Sequence, residues 1–209
     1  MKLLLLLQVS TALASEPYVD ERLFVSFYPP AGWVRVEEDV GSHSILFQDP
    51  AQALASIQID SFPYEIEKQR QLKNVQRELR RELRKQFPSL EIVDERSLTH
   101  GADTYPAIEI TGTLPTGNTS FHVMQRCLFA RGRIYVITAG TYELTFLQLI
   151  PTFRAAIQSV EVLAPVFDAE AHGRGPLLPV NQLLVVLSTV LVSVPIVRRI
   201  SQAKLERSA

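Results

Sequence analysis

Four histidines, one cysteine and one acidic run are the residues of this 209-residue chain whose types and spacing could do metal, nucleophilic or cation chemistry. The histidines are His43, His100, His122 and His172, and no two of them stand in a His-x-x-x-His arrangement. Cys127 is alone, so no Cys-x-x-Cys pair exists. Zinc sites draw their ligands from such short spacings, and no metal site is expected. Glu37-Glu38-Asp39 beside His43 could hold a cation weakly or form an ordinary solvated acidic turn. Cys127 lies in an apolar run and reads as a buried, inert thiol, because a reactive thiolate needs a neighbouring base or positive charge. A single cysteine also excludes an intramolecular disulfide. There is no Gly-x-Ser-x-Gly elbow and no glycine-rich phosphate loop. Asn118-Thr119-Ser120 has the form of a glycosylation sequon, which matters only in a eukaryotic secretory host. The expectation is a protein that is not an enzyme and carries no cofactor.

Charge is the feature that remains. Over residues 64–87, Lys68, Arg70, Lys73, Arg77, Arg80, Arg81, Arg84 and Lys85 oppose Glu65, Glu67, Glu78 and Glu82, a net +4. Residues 15–177 as a whole hold 16 Lys and Arg against 21 Asp and Glu, a net −5, so outside that segment they carry −9. Lys73, Arg77, Arg80, Arg81, Arg84 and Lys85 are therefore the candidate partner-binding residues. They could form a docking face for an acidic partner or anionic headgroups. They could instead be a solvated helix face laced with Glu–Arg pairs.

The elements that must position these residues follow from periodicity. Leu72, Val75, Leu79, Leu83 and Phe87 recur at steps of three and four, which predicts one amphipathic helix over residues 64–87, ended by Pro88. Before it, strands are predicted at 23–28, 34–36, 44–48 and 55–62, the last by strict alternation. After it, strands are predicted from Leu90, over 105–113, 120–130 and 134–139, with turns at His100 to Asp103, Pro115 to Asn118 and Arg131 to Arg133. A second helix is predicted over 142–157, broken near Pro151, followed by a short strand at 159–162. Hairpin-length turns favour a mostly antiparallel sheet with helices packed on it.

Both ends read as addresses. Lys2, the apolar stretch Leu3 to Leu13 and the small-x-small Ala12-Leu13-Ala14 predict a signal peptide over residues 1–14, cleaved before Ser15. Residues 177–197 carry no charge and are long enough to span a bilayer. Arg198, Arg199, Lys204 and Arg207 follow, which puts the tail 198–209 on the cytoplasmic side and the domain 15–166 outside, joined through a Gly/Pro-containing stalk at 167–176. A nucleic-acid partner is not expected for an exported domain.

The stretch Phe24-Val25-Ser26-Phe27-Tyr28-Pro29-Pro30-Ala31-Gly32-Trp33 resembles the N-terminal Phe-x-Val-x-Phe-x-x-Pro-x-Gly-Trp strand and turn of the PsbP-like superfamily. The Asp49-Pro50 strand end, the long helix, the glycine-turn hairpin, the strand Arg133 to Ala139, a helix and a closing Ser159-Val160 continue the likeness over about residues 22–162. The superfamily also includes bacterial DcrB-type envelope proteins and a nuclear Ran-binding factor. The resemblance implies an α+β fold, an antiparallel sheet flanked by helices as an αβα sandwich, with binding and assembly roles and no shared reaction. The C-terminal apolar segment departs from the PsbP subunit of photosystem II. No metal-binding or partner-binding residue is carried over. The reading is a membrane-anchored, exported, non-catalytic domain that docks on or stabilises an envelope or membrane protein. The alternative is a small-ligand or ion-binding sensor and, behind it, an enzyme with a site that no motif marks.

Overall fold

The computed structural model describes residues 13–14, 16–36, 44–52, 55–63, 74, 77, 80–81, 89–116 and 118–163. Ten strands and one complete helix are defined within them: β1 Tyr18–Asp20, β2 Val25–Phe27, β3 Val34–Val36, β4 Ser44–Gln48, β5 Ser56–Pro63, β6 Glu91–His100, β7 Tyr105–Thr116, β8 Thr119–Ala130, β9 Arg133–Tyr142, α1 Glu143–Gln158 and β10 Glu161–Val162. Seven strands form one sheet in the order β3-β4-β5-β9-β8-β7-β6, and β1-β2-β10 form a small second sheet. Every pairing is antiparallel.

The central strands of the large sheet are buried on both faces, which is why they read as almost unbroken apolar runs. One face presents Ile45, Phe47, Ile57, Ile59, Met124, Leu128, Tyr135, Ile137 and Ala139 to the main core. Phe146, Phe153, Ala156 and Ile157 of α1 and Val25 and Phe27 of the small sheet close that core. Phe146, Ile150, Phe153 and Ile157 recur at steps of three and four, the spacing that turns one helix face inward. The opposite face carries a second cluster of Ile108, Ile110, Phe121, Val123, Cys127, Phe129, Ile134 and Val136.

The turn after β2 explains the Pro-x-Gly-Trp pattern. The Trp33 N–H donates to the Pro30 carbonyl at 3.1 Å, and Gly32 sits at φ +80. That is a tight turn whose third position needs the left-handed backbone open to glycine. Trp33 then packs edge-on to Phe153 at 6.1 Å, joining the start of an edge strand to α1.

Four sequence expectations change. Strand β1 was not predicted: three residues with one inward aromatic, Tyr18, carry too little pattern. The chain at Leu23 and Phe24 is turn rather than strand, because the Asp20 carboxylate takes the backbone N–H groups of Arg22 and Leu23 and Phe24 adopts φ 55. The strands also divide into two sheets, with β10 pairing β2. Finally, α1 runs unbroken through Pro151. Proline leaves the Leu147 carbonyl without its helical donor, but Leu147 and Pro151 both lie on the solvent side, where water can serve it.

The helix predicted over 64–87 is described only at Asn74, Arg77, Arg80 and Arg81, each helical and exposed. The signal-peptide residues 1–12, the stalk, the 177–197 segment and the tail lie outside the described residues. Among the described residues no helix is long and apolar enough to cross a membrane.

Candidate functional site

The densest chemistry in the domain lies across three neighbouring strands. Arg96 on β6 stands opposite Glu109 on β7, which stands opposite Arg126 on β8. Cross-strand partners share a face, so two guanidinium forks meet one carboxylate. Glu109 Oε1 accepts from Arg96 Nε at 3.1 Å and from its Nη2. Glu109 Oε2 accepts from Arg126 Nε at 2.9 Å and from its Nη2. Burial pushes the Glu109 carboxyl up, but the hydrogen bonds and charges of the two arginines outweigh it and hold it below the ordinary range.

His100, at the end of β6, extends this network. Its Nδ1 faces Arg126 Nη1 at 2.9 Å and its Nε2 faces the Val160 carbonyl at 2.7 Å. Arginine can only donate and a carbonyl can only accept, so the ring is neutral with its hydrogen on Nε2. Burial lowers its pKa, and the Arg126 charge adds to that. The effect is a tether from the large sheet to the residue before β10. His100, Glu109 and Arg126 are all buried, and Arg126 bonds to both of the others.

A second polar group lies on the other face. Asp60 on β5 accepts from Ser44 Oγ on β4 and from Gln58 Nε2 at 3.0 Å. Burial pushes its carboxyl up to about 6, against the two hydrogen bonds. Gln58, Thr138 and Gln125 stand side by side across β5, β9 and β8, and Gln125 donates to Thr138 Oγ1 at 3.1 Å.

The charged surface singled out by sequence is described in part. Arg80 Nε donates to Glu95 Oε2 at 2.6 Å, which ties the helical segment to β6 on the second face of the sheet. Arg77 donates to Asn74 Oδ1 at 2.8 Å and remains exposed, as does Arg81. Lys73, Arg84 and Lys85 lie outside the described residues, as do His43, His172 and Glu37-Glu38-Asp39. Of the remaining residues picked out by type, His122 stacks on Phe146 at 5.0 Å and bonds Thr113, far from His100 in role. Cys127 is fully buried, and burial pushes its thiol up to about 12. Among the described residues no three His, Cys, Asp or Glu stand together as a metal-ligand set.

Sequence reasoning missed the Arg96–Glu109–Arg126–His100 network and placed His100 in a turn. The signal was present but thin. Glu109 and Arg126 are lone charges inside apolar strand runs, where a charge must find a partner. Alternation could not say on which face they lie, because both faces of this sheet are apolar.

The model of the PsbP family matches residues 14–162. No curated protein sequence matches the chain. Among solved structures, the chain is similar to the cyanobacterial PsbP (CyanoP) of Synechocystis sp. PCC 6803, at TM-score 0.56 and 15% identity, covering 70% of this chain and 91% of that one. It is also similar to the Saccharomyces cerevisiae Ran-binding protein Mog1p, at TM-score 0.54 and 9% identity, covering 73% of this chain and 97% of that one. At these identities the likeness speaks to the fold alone.

Proposed function

The chain belongs to the PsbP family, and from that premise we propose that it is a non-catalytic binding and assembly domain that docks on or stabilises another envelope or membrane protein. One observation carries this reading. The buried ionisable side chains Asp20, Asp60, His100, Glu109 and Arg126 are bonded within the domain, and the exposed charge on the helical surface includes Arg77, held by Asn74, and Arg81. Chemistry is held inside and charge is shown outside, the arrangement of a docking module.

The partner face is the basic helical surface around Arg77 and Arg81, with Lys73, Arg84 and Lys85 as its continuation in sequence. Arg80 is its inner edge, since its head is bound to Glu95. A segment of +4 on a domain that is otherwise −9 suits an acidic protein surface. Export by residues 1–14 and anchoring by residues 177–197, with the tail inside, complete the proposal, on the strength of the apolar runs and the basic residues that follow the second.

The test is in-cell crosslinking and affinity purification of the full chain beside a variant carrying Arg77→Glu, Arg81→Glu, Arg84→Glu and Lys85→Glu. A partner captured by the native chain and lost by the folded variant supports the docking face. Capture by both moves docking elsewhere on the domain. Turnover of a substrate by the purified chain, abolished by a pocket mutation, overturns the non-catalytic reading.

A further inference from the structure

The backbone edge at Pro29 and Pro30 has an occupant whose identity matters. Ala14 donates its N–H to the Pro29 carbonyl at 2.8 Å, and Leu13 forms an antiparallel bridge with Pro30. The Leu13 side chain is half-buried and packs against the main core. Two residues thus make a short strand addition to the domain.

The receiving edge is unusual in what it offers. Pro29 and Pro30 have no N–H, so this stretch presents carbonyls only. The Pro30 carbonyl takes the Trp33 N–H, and the neighbouring Tyr28 N–H donates to Ser159 Oγ at 2.9 Å. What the edge holds out to a neighbour is the Pro29 carbonyl beside an apolar seat. Its complement is an extended segment that supplies one N–H and, one residue earlier, a leucine side chain. That is the chemistry of Leu13-Ala14.

These two residues are also the last two before the cleavage point that the small-x-small pattern predicts ahead of Ser15. Cutting there removes the occupant and leaves its seat in the domain. We propose that the Pro29–Pro30 edge is an interaction surface for an extended segment of a partner protein, a leucine followed by a small residue, which Leu13-Ala14 fills in the uncut chain and which processing opens. Recognition is by strand addition, in which the main chain provides the hydrogen bond and one pocketed side chain provides the selectivity. The inference rests on cleavage before Ser15 and does not depend on the basic helical surface.

The seated segment competes as an intramolecular ligand, with an effective concentration on the order of millimolar for a short tether. The test therefore compares three samples: the uncut full chain, the full chain carrying Leu13→Asp and Ala14→Pro, and the chain starting at Ser15. Each is titrated with a labelled peptide of residues 8–14 and with the same peptide carrying Leu13→Asp, and circular dichroism reports folding. The expected result is binding of the native-sequence peptide to the double variant and to the chain from Ser15, at least about tenfold tighter than to the uncut chain. The Leu13→Asp peptide should bind none of them. Equal binding to all three samples, or no binding to a folded sample that lacks the native segment, overturns the proposal. So does failure of both altered chains to fold, since Leu13-Ala14 would then be a fixed part of the domain and not an exchangeable occupant. Charge reversal at Arg77 and Arg81 should leave peptide binding unchanged, which separates this surface from the basic one.

Discussion

Arg126 points a guanidinium N–H at Nδ1 of His100 from 2.9 Å, and so leaves the imidazole no room for a second proton. The other ring nitrogen gives its hydrogen to the Val160 carbonyl, so the neutral ring is held from both sides. A folded-state pKa below the ordinary 6.5 means that the unfolded chain binds the proton more readily. The stability His100 contributes is therefore present above pH 6.5 and is lost as pH falls from there through the folded value. Between pH 7.5 and 5.5, denaturant titrations should show the native chain losing stability relative to a His100→Gln variant. An unchanged slope in that variant would remove the tether from the account.

Asp60 should behave in the opposite sense. Its carboxyl is raised from 3.8 to about 6, so protonation favours the folded chain. Its contribution is fully present below pH 3.8 and is lost as pH rises through about 6. An Asp60→Asn variant keeps the size and an acceptor for Ser44 while discarding the charge. It should be more stable than the native chain at pH 7.5, by up to about 3 kcal/mol for a shift of this size. The gain should shrink toward zero as pH approaches 4, read from the same titrations.

Removing one member of the buried ion pair should cost more than removing both. Glu109→Gln leaves the Arg126 guanidinium buried beside a neutral amide, a loss of about 3–5 kcal/mol. Replacing Glu109 and Arg126 together with leucine and methionine restores apolar packing but leaves His100 Nδ1 without its donor, so it should recover part of that loss. Chemical denaturation of the two variants checks the order.

Gly140 is required by the ring of Phe121. A Cβ at Gly140 would lie 2.6 Å from Phe121 Cζ and 3.0 Å from the His122 carbonyl. Gly140→Ala should destabilise by about 1–3 kcal/mol through overpacking. Adding Phe121→Leu relieves the ring contact and should return part of the loss, although it also gives up the edge contact with Tyr142 at 5.5 Å.

Cys127 should resist alkylation at pH 8 in the folded chain, since its thiol is buried and raised to about 12. Mass spectrometry after iodoacetamide should find it modified only once denaturant unfolds the domain. Rapid labelling without denaturant would show that the second face of the sheet opens readily.

Much of the architecture was legible in local pattern. The alternation in Ser56 to Phe62, the β-rich run Ile134 to Ala139 and the three-and-four spacing from Phe146 to Ile157 each state an element, because a strand or helix face must repeat with its own period. The Pro-x-Gly-Trp turn was legible for a similar reason: only glycine relaxes at φ +80, and proline cannot continue a ladder. These signals sufficed for an antiparallel α+β domain and for its family resemblance. Tertiary structure alone decided the rest. It set Arg96, Glu109 and Arg126 side by side, although the sequence separates them by 13 and 17 residues. It brought His100 to Val160 across 60 residues and seated Leu13 against Pro30. It also bound Arg80 to Glu95, so one of the six basic residues singled out by composition is engaged by β6 while its side chain stays exposed. Composition counts charges, whereas strand register and the packing of faces determine which charges meet, and register is a property of the whole sheet that no local window contains.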